Sequence, residues 1–107
     1  IVLPRSLYGT GHVWNQYTVR VKNGQRDSLK EFLAERNIGA EIYYPIPVHA
    51  QECYQTCPKI IMDLTETNRA ADEVLSLPIF PELEDAEIEA VVTGVTNFYS
   101  MPQSQAA

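Results

Sequence analysis

The sequence predicts an α+β domain: a small antiparallel or mixed sheet of about three strands with helices packed on one face. Three observations predict it. Polarity alternates with a period of two between His12 and Val21, apolar residues recur at spacings of three and four in two later stretches, and short β-prone runs fall between them. With 107 residues the chain has the size of one domain, able to bury roughly 65% of the surface its unfolded form would expose. That is enough for one small core and thin for a self-contained catalyst with its own cofactor cradle.

The first strand is expected over His12 to Val21, where Val13, Tyr17, Val19 and Val21 fall on one side and Trp14, Gln16, Thr18 and Arg20 on the other. Lys22-Asn23-Gly24-Gln25 then supplies turn chemistry, because glycine tolerates positive φ and asparagine bonds locally to backbone. A helix follows from about Arg26 to Asn37, with Leu29, Phe32 and Leu33 on one face and Asp27 and Glu31 toward the positive end of its dipole. Asn37-Ile38-Gly39 stops it. Ala40 to Tyr44 reads as a short strand closed by Pro45 and Pro47, which remove ladder donors and turn the chain out into a loop.

One or two helical turns are expected between His49 and Gln55, ended by Pro58, then a second helix around Glu66 to Val74 and a strand-like stretch Leu75-Ser76-Leu77-Pro78. A last helix spans about Asp85 to Tyr99. Its stripe of Ile88, Val91, Val92, Val95 and Phe98 predicts a core element whose burial is worth on the order of 7 to 15 kcal/mol gross at ~1.5 to 3 kcal/mol per side chain, most of it offset by conformational entropy. Met101 to Ala107 is expected to fray. The domain boundaries expected are a lead-in at 1–11, the domain itself at 12–99 and a disordered tail at 100–107.

Composition removes whole classes of function. The net charge is −6 with both histidines neutral, the pI is near 4.7 and no Lys/Arg cluster occurs, so nucleic acid is not an expected partner. The acid is uneven: only Arg69 is basic after Ile60, where nine acidic residues lie, which reads as a solvated outer face of the late helices. No apolar run approaches the ~20 residues of a membrane span, and Ile1 to Tyr8 have no signal-peptide pattern, so a cytoplasmic protein without a membrane partner is expected. Cys53 and Cys57 are the only cysteines, so there is no disulfide framework. The chain opens Ile1-Val2-Leu3-Pro4 without methionine, as a segment cut from a longer protein would.

The segment densest in chemistry is Tyr43-Tyr44-Pro45-Ile46-Pro47-Val48-His49-Ala50-Gln51, where two prolines stiffen a loop and present Tyr, His and Gln as hydrogen-bonding tips for a polar ligand. The competing reading has Tyr44 and His49 capping the sheet. On a helix, His49, Cys53 and Cys57 would stack an imidazole and two thiols, but structural zinc takes four ligands and His12 lies far off, so free thiols are expected and no metal. A nucleophilic cysteine would need a base and an oxyanion site that nothing nearby supplies. Gly9-Thr10-Gly11 precedes a strand, whereas a phosphate cradle follows one. Glu82, Glu84, Asp85, Glu87 and Glu89 gather at a helix start, where carboxylates serve the dipole, and Trp14 reads as packing.

His12-Val13-Trp14-Asn15-Gln16-Tyr17-Thr18-Val19-Arg20, Arg26-Asp27 with Leu29, Ile38-Gly39, Ile42-Tyr43-Tyr44-Pro45-Ile46-Pro47-Val48-His49, Glu66 to Ala70 and Val74-Leu75-Ser76-Leu77-Pro78-Ile79-Phe80-Pro81-Glu82-Leu83 follow one another in an order and spacing that resembles the C-terminal domain of the DegT/StrS family of pyridoxal-phosphate-dependent sugar aminotransferases, over about residues 10 to 98. The resemblance implies a fold type I parent, a homodimer in which a large N-terminal domain holds the cofactor and this small domain completes the cleft. It implies transfer of an amino group from glutamate or glutamine to a keto group on a nucleotide-linked sugar or cyclitol, in amino-sugar (polysaccharide or antibiotic) biosynthesis. That chemistry needs a Schiff-base lysine, a carboxylate beside the pyridinium nitrogen and a phosphate cradle.

Lys22, Lys30 and Lys59 are the only lysines, and the resemblance places none of them at the cofactor position. No catalytic or cofactor-binding residue is therefore expected in this chain, which should be inactive alone and carry no bound cofactor. The substrate-facing loop carries over to Tyr44, Pro45, His49 and Gln51. Asn37 stands where the family often has glycine and Val48 where it often has leucine; asparagine accepts a left-handed conformation, so the turn should survive. The alternatives are a stand-alone nucleotide-sugar-binding module or an oligomerisation module, neither catalytic.

Overall fold

A computed structural model of the chain describes residues 1–7, 9–54, 56 and 62–102. Two strands, β1 (Tyr17–Arg20) and β2 (Val74–Leu77), form an antiparallel ladder pairing Tyr17 with Leu77 and Arg20 with Val74. A single bridge widens each edge. Val2 and Arg20 exchange backbone hydrogen bonds of 2.8 and 2.9 Å, and Glu41 and Ser76 do the same at 2.9 and 2.8 Å. The layer thus has four chain segments with a ladder only at its centre, in an α+β fold with antiparallel sense throughout.

The first strand is shorter than the alternation predicts. Its partner sets the limit: β2 stops at Leu77, and Pro78 has no N–H to continue the ladder past Tyr17. Val13, expected on the core side, is 88% exposed, and Trp14 instead stacks on His12 at 3.9 Å and meets Tyr17 edge-on at 5.3 Å. The Ala40–Tyr44 run is likewise no strand but the one bridge at Glu41. Asn23 and Gly24, with φ of 63° and 68°, make the expected turn.

Helix α1 (Arg26–Ala34) ends three residues before the expected Asn37. Residues 35–37 close it instead: the Ile38 N–H donates to the Leu33 carbonyl and the Asn37 N–H to the Ala34 carbonyl, both at 3.0 Å, with Asn37 left-handed at φ 58°. That is the Schellman pattern of bonds, and it shows that asparagine does serve where glycine is usual. Two separate 3-10 turns, Val48–Ala50 and Glu52–Tyr54, occupy the region expected to be helical near His49; Gln55, Pro58 and the 103–107 end of the tail lie outside the described residues. Helix α2 (Thr65–Glu73) runs directly into β2.

The core joins sheet and helices: Val19 and Val21 of the first sheet segment, Leu75 of β2, Leu29 and Leu33 of α1, Ala40, and Phe98 of the last helix. On the other side of the ladder the side chains are polar. The Thr18 and Ser76 hydroxyls lie 2.9 Å apart, and Arg20 donates to one oxygen of Glu73 from Nε at 3.0 Å and Nη2 at 2.6 Å. Arg26 donates to the Ala71 carbonyl and so ties α1 to α2.

Helix α3 (Asp85–Ser100) packs on α1. Its first turn carries Asp85 and Glu87, and the Glu87 carboxylate accepts the Glu84 N–H at 2.9 Å, the capping use expected of those acids. The predicted core stripe is only partly buried, however. Val91, Gly94, Val95 and Phe98 face inward, whereas Ile88 is 45% and Val92 58% exposed. Angular position explains the difference: at about 3.6 residues per turn Val91, Gly94 and Phe98 share the face turned toward the core, whereas Ile88, Val92 and the 39% exposed Tyr99 lie together on the neighbouring face.

At the start of α2 the Asp63 carboxylate accepts the Thr65 N–H at 2.9 Å. The Thr65 hydroxyl and, second to it, that N–H hold the Asp63 carboxyl below its usual range. The contribution is then fully present above the ordinary carboxylate pKa and lost as pH falls through the lowered one. Wild-type chain should melt above Asp63→Ala at neutral pH, and the gap in Tm should close in acid. A gap that stays constant down to roughly pH 2 would remove Asp63 from this role.

Candidate functional site

The end of the ladder where β1 begins and β2 stops opens into a cleft of about 210 Å³. Three segments build it. Asn15 and Gln16 lead into β1; Gly39, Ala40, Glu41 and Tyr43 run along the bridge to Ser76; Leu77 through Phe80 leave the end of β2. The antiparallel ladder brings the first and third together, and the paired bonds between Glu41 and Ser76 bring in the second. Pro78 stops the strand, so the chain turns and Ile79 and Phe80 form an apolar wall instead of continuing the sheet.

The polar lining is almost uncharged. Among the described residues Glu41 is its one carboxylate, and Lys30 of α1 lies 3.1 Å from it. The side chains of Asn15, Gln16 and Tyr43 have no hydrogen-bond partner among the described residues, while the Ser76 hydroxyl is engaged by Thr18. Two amides and a phenol therefore face a small opening with capacity to donate and accept.

The loop residues picked from sequence stand elsewhere. Tyr44 is 72% exposed, and Pro45, His49 and Gln51 are exposed on the same loop, outside the cleft lining. The prolines do shape that loop: Pro47 is extended and its carbonyl accepts the Ala50 N–H at 2.9 Å, starting the first 3-10 turn. Tyr43, not Tyr44, reaches the cleft. Alternation along the chain could have separated the two tyrosines, but no sequence signal brings Asn15 and Gln16 beside Phe80, since that contact follows from strand pairing.

His49 and Cys53 do not stack as on a helix, because Gln51 between them is extended at φ −68°, ψ 143°. The Cys53 thiol lies 4.0 Å from the Gln51 side-chain oxygen, and Cys57 is outside the described residues. Among the described residues no three His, Cys, Asp or Glu side chains are grouped to hold a metal ion. No helix among them is long and apolar enough to cross a membrane.

The described residues also do not fit pyridoxal phosphate. Lys30 is ion-paired with Glu41 of the cleft lining at 3.1 Å, Lys22 sits exposed in the turn after β1, and among the described residues no lysine or arginine stands in that lining to meet a phosphate. Lys59 is outside the described residues.

Comparison with known proteins covers nearly the whole chain. The sequence model of the DegT/DnrJ/EryC1/StrS aminotransferase family matches residues 2–96. A "pleiotropic regulatory protein" of Geobacillus stearothermophilus is 39% identical over 92% of the chain, and a dTDP-3-amino-3,6-dideoxy-alpha-D-galactopyranose transaminase of Aneurinibacillus thermoaerophilus is 38% identical over 92%. Among solved structures, DesV of S. venezuelae in complex with a ketimine intermediate superposes with a TM-score of 0.83 at 32% identity, over 95% of the chain. In each case the match spans about a quarter of the other protein: 26%, 26% and 27%.

Proposed function

The chain belongs to the DegT/DnrJ/EryC1/StrS aminotransferase family, and from that membership we propose that it is the small C-terminal domain of a sugar aminotransferase. The carrying observation is a match that fills this chain and only a quarter of its relatives. In this reading a large domain beyond the chain holds pyridoxal phosphate, which supplies the electron sink for moving an amino group from glutamate or glutamine to a keto group on a nucleotide-linked sugar or cyclitol. The active parent is a homodimer.

The chain's own residues shape and close the substrate cleft. Tyr43, Tyr44, Ile46, Val48, Ile79 and Phe80 are large apolar or aromatic residues at least a third exposed, a surface suited to cover by the large domain. Tyr44, Pro45, His49 and Gln51 form the stiffened lip that orients the substrate. The lip moves no proton and the chain alone transfers no amino group.

Pyridoxal phosphate added to the 107-residue chain should keep the visible spectrum of free cofactor, and borohydride should leave no adduct on Lys22, Lys30 or Lys59. A stoichiometric adduct at one of them, or conversion of a keto-sugar by the chain alone, would overturn the reading. A second reading, a non-catalytic regulatory or sugar-binding module, draws support from the regulatory name of the Geobacillus relative. Micromolar affinity of the isolated chain for a nucleotide sugar would favour it, since half a cleft should bind far more weakly.

A further inference from the structure

Of the five asparagines in the sequence only Asn23, in the turn joining β1 to α1, is followed by glycine. An asparagine side chain can be attacked at its carbonyl carbon, Cγ, by the backbone nitrogen of the next residue, because the closure makes a five-membered ring. The bulk of the following side chain, any hydrogen bond that ties up the nitrogen, and the freedom of the backbone to bring the two atoms together decide whether it happens.

Asn23 is open on all three counts. Gly24 has no side chain to obstruct the approach, and a Cβ placed on it would meet nothing within 4 Å. Both residues are exposed, and neither the Asn23 side-chain amide nor the Gly24 N–H has a hydrogen-bond partner among the described residues. The bond that closes the turn, from the Gln25 N–H to the Lys22 carbonyl, is long at 3.4 Å. Asn37 is the contrasting case. It too is exposed and left-handed, but the next nitrogen, that of Ile38, donates to the Leu33 carbonyl at 3.0 Å, and the β-branched Ile38 side chain packs against the core. Asn68 and Asn97 lie inside α2 and α3, where the helix holds the following N–H.

We propose that Asn23 is a site of spontaneous covalent modification, at which the Gly24 nitrogen displaces ammonia from the Asn23 side chain and water opens the resulting ring to aspartate or isoaspartate. The bond from Gly24 N to Cγ forms, the Cγ–Nδ2 bond breaks, and the amide proton of Gly24 leaves with the ammonia. Water then cleaves the ring at one of its two carbonyls. Opening at Cγ gives aspartate; opening at the main-chain carbonyl gives isoaspartate, in which the chain runs through the side-chain carbons. One water is consumed, one ammonia is released and the chain gains one negative charge, with no oxidant or enzyme involved.

The two products differ in what they do to the fold. Aspartate keeps the backbone as it was, and its short side chain tolerates the left-handed conformation. Isoaspartate inserts a methylene between two fixed points. Val21 is buried and donates its N–H to the Glu73 carbonyl at 2.8 Å, and the Arg26 guanidinium holds the Ala71 carbonyl. Both anchors reach the end of α2, so a lengthened turn must pull on one of them.

The test ages the 107-residue chain in mildly alkaline buffer, folded and in urea, and follows it by ion exchange and by peptide mapping that separates aspartate from isoaspartate. Asn23 should be the first asparagine to convert, faster as pH rises because the attacking nitrogen must give up its proton. Exposed turns open at almost no cost, so the folded rate should lie within about tenfold of the rate in urea. Asn23→Gln, whose closure needs a six-membered ring, should lose the early acidic species both folded and in urea, so the variant is informative whether or not it folds. The isolated isoaspartyl chain should melt below the unmodified one, and the aspartyl chain should melt with it. Conversion first at another asparagine, an early acidic species that persists in Asn23→Gln, or a folded rate slower than that margin overturns the assignment. Equal melting of the two products overturns the account of a turn strung between two anchors.

Discussion

Leu33→Ala is expected to destabilise the chain by about 2–5 kcal/mol. Leu33 is fully buried, belongs to the same core cluster as Val19, Val21 and Leu75, and faces α3 across Gly94. Removing its branched end leaves a cavity that the surrounding helices cannot close without moving, because α1 is fixed at one end by Arg26 on Ala71 and at the other by the turn at Asn37. A domain of this size has about 5–15 kcal/mol in total, so Tm should fall by roughly 10 °C or more. Thermal melting monitored by circular dichroism reads this directly. A drop of only a degree or two would mean that the seam between α1 and α3 contributes little.

The second large effect concerns Gly94. Mid-helix glycine ordinarily costs about 1 kcal/mol relative to alanine, so substitution there should normally help. Here it should hurt. A Cβ on Gly94 would sit 2.9 Å from Cδ2 of Leu33 and 3.0 Å from Cδ1 of Ile38. Ile38 is only half-buried and can give way, but Leu33 has no room. Gly94→Val should therefore destabilise by about 1–3 kcal/mol through overpacking.

The two sites must also couple. In the Leu33→Ala background the obstructing methyl is gone, so Gly94→Val should cost at least about 1 kcal/mol less than in wild type, a coupling within the range seen for touching residues. Urea denaturation of the four proteins measures it. Equal costs in both backgrounds would show that the close approach at Gly94 is not what keeps glycine there.

Much of this architecture is legible in the sequence where a local rule acts alone. Asn23-Gly24 turns because both residues tolerate positive φ, and Asn37 ends α1 for the same reason. The late acids of α3 cap it as their position suggests. Illegible are the features one segment imposes on another. β1 is cut short by Pro78, more than fifty positions away, and which face of α3 turns inward is set by where α1 packs against it. The cleft is of the second kind. Gln16 sits on the polar side of the alternation, yet only strand pairing sets it near Phe80, and the loop whose composition drew attention, at Tyr44 and His49, lies outside that lining.

The ladder joins partners such as Arg20 and Val74, which lie more than fifty positions apart in the chain. Neither half of the polypeptide can finish a sheet alone, so the ends of a long intervening loop must find each other before the hydrogen bonds reward the meeting. Closure of that kind is governed by topology more than by stability, which makes this small protein a slow assembler for its length and leaves its strand edges bare while it waits.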